Sequence, residues 1–331
     1  MSDLSNSYAE FESEVSRWMA AGAGDFEEMA MRVFEFQRSA CVEYGRFCAE
    51  KPAPSDWREI PAVPVDIFRR MALRSFPAER TIRTFRTSGT TGEGFGEHHF
   101  CSLSLYEQAA KFGWANAGLP ADGNVVSLIA SAADCPHSSL SQMASWLAPG
   151  GRSFFGEWEQ LAERLESADD VVLFGTALAF LDFFESLGAR GLFLPSGSLA
   201  VETGGYKGTR REMPKEDLYR LFETKLGLAA ESVWNEYGMT ELTSQFYSRG
   251  FGAHCGPPWC RALVVDPVSG REVGEGETGV LQIFDAANLG SVSAIRTRDL
   301  GIRRGAGFEL IGRDPAALPR GCSRSAEEML S

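Results

Sequence analysis

A short segment at residues 87–92, with the sequence T-S-G-T-T-G, combines residue types that suit phosphate binding. Its glycines permit sharp turns and close approach of the backbone, and its hydroxyl side chains add donors to the backbone N–H groups. The preceding residues 81–86, T-I-R-T-F-R, have the β-branched and aromatic content of a strand. A strand leading into such a loop can hold a polyphosphate, although many loops of this composition are simply solvated turns.

Two common nucleotide-binding motifs do not fit these residues. A Walker loop requires G-x-x-x-x-G-K-[ST], but Phe95 follows Gly94 where the lysine is needed. The dinucleotide-binding G-x-G-x-x-G motif requires a spacing that Gly92, Gly94 and Gly96 do not have. The loop therefore has to be interpreted together with the other polar motifs of the chain.

Two further segments add groups that suit a nucleotide. Residues 235–241, N-E-Y-G-M-T-E, place an aromatic ring, a glycine, a hydroxyl and a carboxylate close together. Such a set can stack on a base, turn the chain, contact a phosphate and hold a divalent metal. Residues 296–300, R-T-R-D-L, and 307–313, G-F-E-L-I-G-R, supply Asp299 for sugar hydroxyls and Arg313 for a phosphate.

With these motifs in this order, the chain resembles the adenylate-forming enzymes, which include acyl-CoA synthetases, luciferases and peptide-synthetase adenylation domains. The resemblance implies ATP and Mg²⁺ as cofactors and a phosphate-binding loop formed by Thr87, Ser88, Gly89, Thr90, Thr91 and Gly92. It implies that Tyr237 stacks on adenine, beside Gly238 and Met239, with Gly204 and Gly205 lining the opposite wall.

The same resemblance implies roles for four other polar residues. Thr240 would contact the α-phosphate, and Glu241 would bind Mg²⁺. Asp299 would hold the ribose hydroxyls, and Arg313 would lie at the ribose–phosphate end. The usual family pattern has glycine before this aspartate, so Arg298 would place an extra cation near the nucleotide or on the surface.

The C-terminal segment indicates a narrower family. Only 18 residues follow Arg313, and they contain R-G-C-S at residues 320–323. This ending, together with T-G-G-Y-K-G at residues 203–208, resembles the LuxE-type acyl-protein synthetases. The resemblance implies that a fatty acid is activated as acyl-adenylate, transferred to Cys322, and passed to a partner such as a fatty-acid reductase.

The chemistry expected of Cys322 is that of an acceptor nucleophile. A thiolate attacks a mixed anhydride and gives a thioester that remains reactive, and neighbouring Arg320 and Arg324 would lower its pKa. The alternative is a cysteine in a chain terminus that has no role.

Composition and charge exclude several classes of protein. The chain has 331 residues and a formal net charge of −13, which argues against binding nucleic acid or an anionic membrane surface. No apolar run near 18 residues and no secretory signal is found, so we expect a cytoplasmic protein without membrane insertion. Seven cysteines spread over a long chain do not indicate a disulfide framework.

Short apolar runs predict strands at residues 171–174, 191–194 and 279–284, and residues 178–187 and 215–226 are predicted helices. Strands alternating with helices predict an α/β fold with parallel sheets. The resemblance implies the large N-terminal domain of adenylate-forming enzymes, including a small β-barrel subdomain, without the usual C-terminal lid. We expect an N-terminal helical segment over residues 1–65 and an ATP- and acyl-binding body over 66–250. A β-rich subdomain would cover 251–313, and a mobile tail 314–331.

Several other residues allow a functional or a structural interpretation. His254, Cys255 and Cys260 lack the second pair of ligands of a zinc site, which favours a structural role. Of His98 and His99, one can face the site, but a position on the strand surface is the expectation. His137 either lines the acyl site or belongs to a capping turn before a helix at residues 140–147.

Two alternatives to self-acylation remain open. The first is a ligase of the phenylacetate-CoA-ligase type, which would deliver the acyl group to coenzyme A or a carrier protein. The second is a partner-binding subunit that has lost catalysis, since Glu93 and Gly94 replace the proline–lysine continuation of the family loop. Acyl chain length and oligomeric state are not determined by the sequence.

Overall fold

The computed structural model describes residues 2–87, 94–121, 123–150, 153–204 and 213–313, with side chains from residue 7 onward. Its helices are α1 (Ser2–Ala20), α2 (Phe26–Ala40), α3 (Val42–Ala49), α4 (Ser104–Asn116), α5 (Ser139–Leu147), α6 (Trp158–Glu166), α7 (Ala177–Ser186) and α8 (Lys215–Leu226). Its strands are β1 (Val63–Pro64), β2 (Arg83–Arg86), β3 (Glu97–Phe100), β4 (Val125–Ser127), β5 (Val172–Thr176), β6 (Leu199–Thr203), β7 (Val233–Tyr237), β8 (Phe246–Arg249), β9 (Cys260–Val265), β10 (Thr278–Asp285), β11 (Ala294–Arg304) and β12 (Gly307–Arg313).

The chain divides into two compact units. The first draws its described residues from Met1–Ala109, Met239–Ser244 and Cys255–Ser331, and the second from Ala110–Gly238 and Gln245–His254. This division groups residues differently from the sequence-based boundaries, because the N-terminal helices and the C-terminal strands fall in the same unit.

The first unit is built on a five-stranded sheet in the order β1-β11-β10-β9, with β12 also paired to β11. The antiparallel pairs of this sheet are β9–β10, β10–β11 and β11–β12. The hydrogen-bonded order is an open path across the described strands, where the family resemblance implied a barrel. A separate antiparallel pair, β2–β3, holds the two ends of the predicted phosphate loop.

Aromatic residues fill part of the core of the first unit. Phe26, at the start of α2, packs edge-on against Trp57 and Phe284, with ring centroids 5.2 Å and 5.8 Å away. The guanidinium of Arg261 lies 4.1 Å from the Phe26 ring centroid. Helix α2 begins at this position because Asp25 accepts a hydrogen bond from the Glu28 backbone N–H, which satisfies one donor of the first turn.

The second unit is an α/β layer with the strand order β4-β5-β6-β7-β8. Strands β4 to β7 are parallel, and β8 is antiparallel to β7. Helices α5 to α8 lie in the connections, as parallel pairing requires. Apolar residues of α6, α7 and α8 pack with β5 in one buried cluster that includes Leu161, Leu173, Phe180 and Phe222.

Most predicted elements agree with the structure. The helices at residues 178–187 and 215–226 correspond to α7 and α8, and the strands at 171–174 and 279–284 to β5 and β10. The turn alternative at His137 is also supported, because Ser138 caps α5 by accepting from the Ser141 N–H at 3.1 Å. None of the described helices is long and apolar enough to cross a membrane.

The strand predicted at residues 191–194 is wrong. The backbone N–H groups of Leu192 and Leu194 bond to the carbonyls of Lys225 and Leu226 at the end of α8, not to a neighbouring strand. Phe193, between them, is 75% exposed. The strand in this part of the sheet is β6, whose last residues are the polar Glu202 and Thr203.

Candidate active site

Part of the predicted site lies outside the described residues. This holds for Ser88, Gly89, Thr90, Thr91, Gly92, Gly205 and Cys322. Thr87 is described, and its hydroxyl accepts a hydrogen bond from the Gly96 N–H at 2.8 Å. The Thr87 N–H donates in turn to the Gly96 carbonyl at 3.0 Å. Thr87 therefore joins the two strands at the base of the phosphate loop.

In the second unit, predicted residues lie at the carboxyl ends of neighbouring parallel strands. Tyr237 is the last residue of β7, and Gly204 directly follows β6. In open α/β sheets ligands bind at this edge. Gly204 has a φ of 68°, a left-handed conformation that favours glycine. Tyr237 is buried, and its ring centroid lies 6.2 Å from that of Phe246 and 6.3 Å from that of His254.

Gly238 follows Tyr237 in a position that leaves no room for a side chain. A Cβ atom there would approach a carboxylate oxygen of Glu236 to 2.4 Å. That carboxylate is buried and accepts a short hydrogen bond from the Thr203 hydroxyl. The predicted turn after the aromatic ring thus depends on glycine.

A group of polar side chains, the strand-end cluster, comprises the buried Glu202 and His254 and the half-buried Asn235. The amide of Asn235 donates to a Glu202 carboxylate oxygen at 2.5 Å, and its oxygen lies 2.5 Å from Nε2 of His254. Because the amide nitrogen faces Glu202, the amide oxygen accepts from the His254 ring. Burial raises the pKa of Glu202 to about 7, while Lys215 and hydrogen bonds from Asn235 and Tyr219 act in the opposite direction. The contact with Asn235 is compatible with the structural role predicted for His254, which remains a prediction.

In the first unit, sheet register brings two predicted residues together. Asp299 on β11 pairs with Arg313 on β12, and Nε of Arg313 donates to the Asp299 carboxylate at 3.1 Å. Asp299 is 8% exposed. The neighbouring Arg298, which replaces the glycine of the family pattern, forms an ion pair with Asp66 at 2.5 Å. Its positive charge is therefore balanced by the Asp66 carboxylate.

The loop Met239–Ser244, here called the motif loop, also belongs to the first unit and carries Thr240 and Glu241. Nδ1 of His98 lies 2.8 Å from the Thr240 carbonyl, and the amide of Asn288 donates to the Glu241 carbonyl at 2.9 Å. The loop is closed internally by the Leu242 N–H, which donates to the Met239 carbonyl at 3.1 Å. The backbone on both sides of the Glu241 side chain is therefore fixed.

Asp285 holds the second half of the motif loop. It is fully buried, and its carboxylate accepts from the backbone N–H groups of Thr243 and Ser244 at 2.9 Å and 2.7 Å. The Ser244 hydroxyl and the Ala287 N–H donate to the other carboxylate oxygen. Burial raises the pKa of Asp285, although each of these hydrogen bonds lowers it.

Sequence reasoning missed His98, Asp285 and Asn288. The expectation of surface histidines is wrong, since His98 is 1% and His99 7% exposed. Burial lowers the pKa of His98 to about 4, so its ring is neutral at pH 7. The alternation of a strand gives the two rings different partners, and His99 binds the Thr84 hydroxyl at 3.0 Å. Nothing in the sequence near Asp285 or Asn288 marks their partners in the motif loop, which are more than 40 residues away.

Comparison with known proteins identifies the family. The family model described as "Acyl-protein synthetase, LuxE" matches residues 153–331, more than half of the chain. The chain belongs to the LuxE acyl-protein synthetase family. This agrees with the resemblance carried by the sequence motifs.

Relatives of this LuxE-family chain are distant in sequence. It is 24% identical over 141 residues to a long-chain-fatty-acid–luciferin-component ligase of Aliivibrio fischeri, which covers 39% of this chain and 37% of the relative. Among solved structures, ATP-bound MatB from Rhodopseudomonas palustris aligns with a TM-score of 0.52 at 17% identity, over 72% of this chain and 49% of MatB. A 2-hydroxyisobutyryl-CoA ligase in complex with 2-HIB-AMP aligns with a TM-score of 0.66 at 13% identity, over 87% of this chain and 67% of the ligase.

These structural likenesses show a shared fold. The chain is mixed α/β with parallel strands, as these adenylate-forming ligases are, and it spans less than half of the curated relative and of MatB. The α/β class with parallel strands predicted from sequence is thus confirmed.

The donor set of this LuxE-family chain fits Mg-ATP in chemical type. Glu241 supplies a carboxylate oxygen, the ligand that Mg²⁺ prefers, and its backbone is held in place. Asp299 supplies an acceptor for hydroxyl groups, and Arg313 a cation beside it. No group of three or more His, Cys, Asp or Glu side chains able to hold a metal occurs among the described residues.

Proposed function

We propose that the protein activates a carboxylic acid, of the fatty acid class, with ATP and then carries the acyl group on Cys322 for a partner such as an acyl reductase. The observation that carries the proposal is the motif loop, because Thr240 and Glu241 lie on a backbone fixed by buried hydrogen bonds in a LuxE-family chain. The printed name of the relative, a long-chain-fatty-acid ligase, supports the acid class.

In the first half-reaction a carboxylate oxygen of the acid attacks the α-phosphorus of ATP. The bond to the β-phosphate breaks, and pyrophosphate leaves with that electron pair, which gives acyl-AMP. Mg²⁺ bound at Glu241 would neutralise negative charge on the phosphates. The Thr240 hydroxyl would donate to an α-phosphate oxygen, where charge develops in the transition state.

Asp299 and Arg313 would orient the nucleotide. The Asp299 carboxylate would accept hydrogen bonds from the ribose hydroxyls, and its contact with Arg313 holds it in one orientation. Tyr237 would stack on adenine at the carboxyl end of β7. Their contribution is to position the α-phosphorus for in-line attack.

In the second half-reaction the thiolate of Cys322 attacks the acyl carbon of acyl-AMP. The carbon–oxygen bond to the phosphate breaks, AMP leaves, and a thioester remains on the protein. The thioester keeps the acyl group reactive toward the partner's nucleophile or reductant.

The first half-reaction is tested by ATP–pyrophosphate exchange with a panel of carboxylic acids. We expect exchange that depends on the acid, and a loss of about 100-fold in Glu241→Gln, which removes a metal-binding charge. Glu277→Gln, in an exposed turn of the same unit, is the matched control and should keep the wild-type rate. No exchange with any acid would support the non-catalytic alternative.

The second half-reaction is tested by comparing Cys322→Ser with Cys255→Ser. Cys255 is an exposed free thiol, so it shows whether an accessible cysteine is acylated merely because it is exposed. We expect Cys322→Ser to keep exchange and to lose the acyl–protein product, while Cys255→Ser keeps both. Undiminished acyl-CoA formation by Cys322→Ser would instead assign the protein as a ligase with a diffusible acceptor.

A further inference from the structure

The motif loop is bonded from outside by three buried side chains, which we call the loop-binding cluster: His98, Asp285 and Asn288. All three make hydrogen bonds to its backbone and leave the side chains of Thr240 and Glu241 out of these contacts. Asn288 is itself fixed, since its amide also donates to the Val292 carbonyl and its oxygen accepts from the Thr243 hydroxyl.

His98 is the member of this cluster that lies next to the predicted phosphate loop in the chain. It lies on β3, two residues after Gly96, which pairs with Thr87 across the base of the predicted phosphate loop. Through the 2.8 Å contact of its ring with the Thr240 carbonyl, the strand that leaves the phosphate loop is bonded directly to the loop that carries Thr240 and Glu241.

The direction of this hydrogen bond is fixed by its acceptor. A carbonyl oxygen can only accept, so the hydrogen lies on Nδ1 of His98. The ring is 1% exposed, packs edge-on against Phe68 with centroids 5.9 Å apart, and is tilted against Phe100 with centroids 4.2 Å apart. This aromatic packing holds the ring in the orientation that aims Nδ1 at Thr240.

We propose that His98 is a positioning residue for adenylation, whose Nδ1–H bond to the Thr240 carbonyl fixes the motif loop to strand β3. This inference rests on the proposed function, because it assigns His98 an effect on Mg-ATP. His98 does not touch the reacting atoms in this account. Its loss should weaken the binding of Mg-ATP and leave the affinity for the carboxylic acid nearly unchanged.

Two polar substitutions at residue 98 separate the effect of the donor's position from the effect of a polar side chain. In His98→Asn the side-chain nitrogen takes the place of Nδ1, so the donor to Thr240 is kept. In His98→Gln the nitrogen takes the place of Nε2, so the donor is displaced while the residue stays polar. His99→Gln, on the same strand but bonded to Thr84, is the matched control.

The first measurement is direct binding of Mg-ATP by calorimetry, with the KM values for ATP and for the acid from pyrophosphate exchange. We expect His98→Gln to raise the Kd and KM for Mg-ATP about tenfold, the size expected for one lost buried hydrogen bond. His98→Asn should stay within about threefold of wild type, and His99→Gln should not change either constant. In all three variants the KM for the acid should change less than twofold.

The second measurement needs no catalysis and covers a variant that binds poorly. Hydrogen–deuterium exchange of the peptide containing residues 239–246 should be faster in His98→Gln than in His98→Asn and wild type. Equal Mg-ATP binding and equal exchange in His98→Gln and wild type would overturn the inference, as would equal impairment of His98→Asn and His98→Gln. Absence of Mg-ATP binding by the wild-type protein would instead contradict the proposed function, whereas the exchange comparison would still decide whether His98 holds the loop.

Discussion

The loop-binding cluster of the first unit and the strand-end cluster of the second are both polar and largely buried, but they are bonded in different ways. His98, Asp285 and Asn288 make hydrogen bonds to the backbone of one loop. Glu202, Asn235 and His254 make theirs to one another. The first arrangement fixes the path of the chain, and the second fixes the orientation of side chains.

The two clusters also differ in the carboxylate that each contains. Asp285 accepts from three backbone N–H groups and one hydroxyl, so its buried oxygens are well satisfied. Glu202 is close to a second buried carboxylate, Glu236, which also raises its pKa. The loop-binding cluster should therefore be sensitive to substitution, and the strand-end cluster to pH.

The largest effect is expected from Asp285→Ala. Three buried backbone N–H groups lose their acceptor, and since each unsatisfied group costs about 1–3 kcal/mol, the free energy of unfolding should fall by at least about 3 kcal/mol. Denaturant titration measures this loss. Asp266→Ala is the control, because Asp266 also accepts from backbone N–H groups but in an exposed turn, and it should change stability little. Equal losses in the two variants would show that the buried hydrogen bonds of Asp285 stabilise the protein no more than the exposed ones of Asp266.

The strand-end cluster is expected to make the stability of the protein depend on pH through Glu202. The pKa of Glu202 is raised from 4.5 to about 7 in the folded protein, so the folded state binds more protons than the unfolded state between these values. Stability from this group is complete below pH 4.5 and is lost as the pH rises through 7, by about 3 kcal/mol at most. Among the described residues, the charged or titratable neighbours of Glu202 are Lys215 and Tyr219 on α8 and Glu236 on β7.

Glu202→Gln should remove this dependence, since glutamine keeps an acceptor for Asn235 but does not titrate. Urea unfolding at several pH values from 4.5 to 8 measures the slope for both proteins. Glu216→Gln, on the exposed side of α8, should keep the wild-type slope. An unchanged slope in Glu202→Gln would show that the carboxylate of the strand-end cluster is already ionised at low pH.

A smaller effect is expected at His254, which donates to Asn235 through Nε2. His254→Phe removes this donor and should lower the free energy of unfolding by about 1–2 kcal/mol. His254→Gln places a nitrogen near the position of Nε2 and should recover most of the loss. If both variants lose the same stability, the ring acts by packing and the hydrogen bond has no measurable part in the cluster.

The smallest effect is expected outside both clusters, at the exposed ion pair of Arg304 with Glu309. Arg304→Ala should lower the free energy of unfolding by less than about 0.5 kcal/mol, since exposed pairs are solvated and screened. The same denaturant titration provides the baseline for the other variants. A loss above about 1 kcal/mol would mean that burial is not what separates the clusters from the surface.

Sequence motifs predicted those site residues whose partners are close in the chain or in register. Asp299 and Arg313 are such a pair, because the hairpin of β11 and β12 brings residues 14 positions apart into contact. Tyr237 and Gly204 were predicted to lie on the two walls of an adenine site, and in the structure they lie at the carboxyl ends of β7 and β6. Their roles toward ATP remain predictions.

The remaining site residues depend on tertiary contacts that periodicity does not report. His98 was expected on a surface because a four-residue strand alone does not reveal that Phe68 covers it. Strand β6 was missed since Glu202 and Thr203 interrupt its apolar pattern, and their burial follows only from pairing with Asn235 and Glu236. Asp285 and Asn288 bind backbone groups, which carry no residue-specific signal.

The central claim, acyl activation followed by transfer to the protein itself, is tested most directly by intact mass after incubation with Mg-ATP and a mixture of fatty acids, with and without hydroxylamine. The account predicts a hydroxylamine-labile mass gain equal to one acyl group, mapping to Cys322 and absent without ATP. Pyrophosphate release without any adduct, or an adduct that persists in Cys322→Ser, would contradict it.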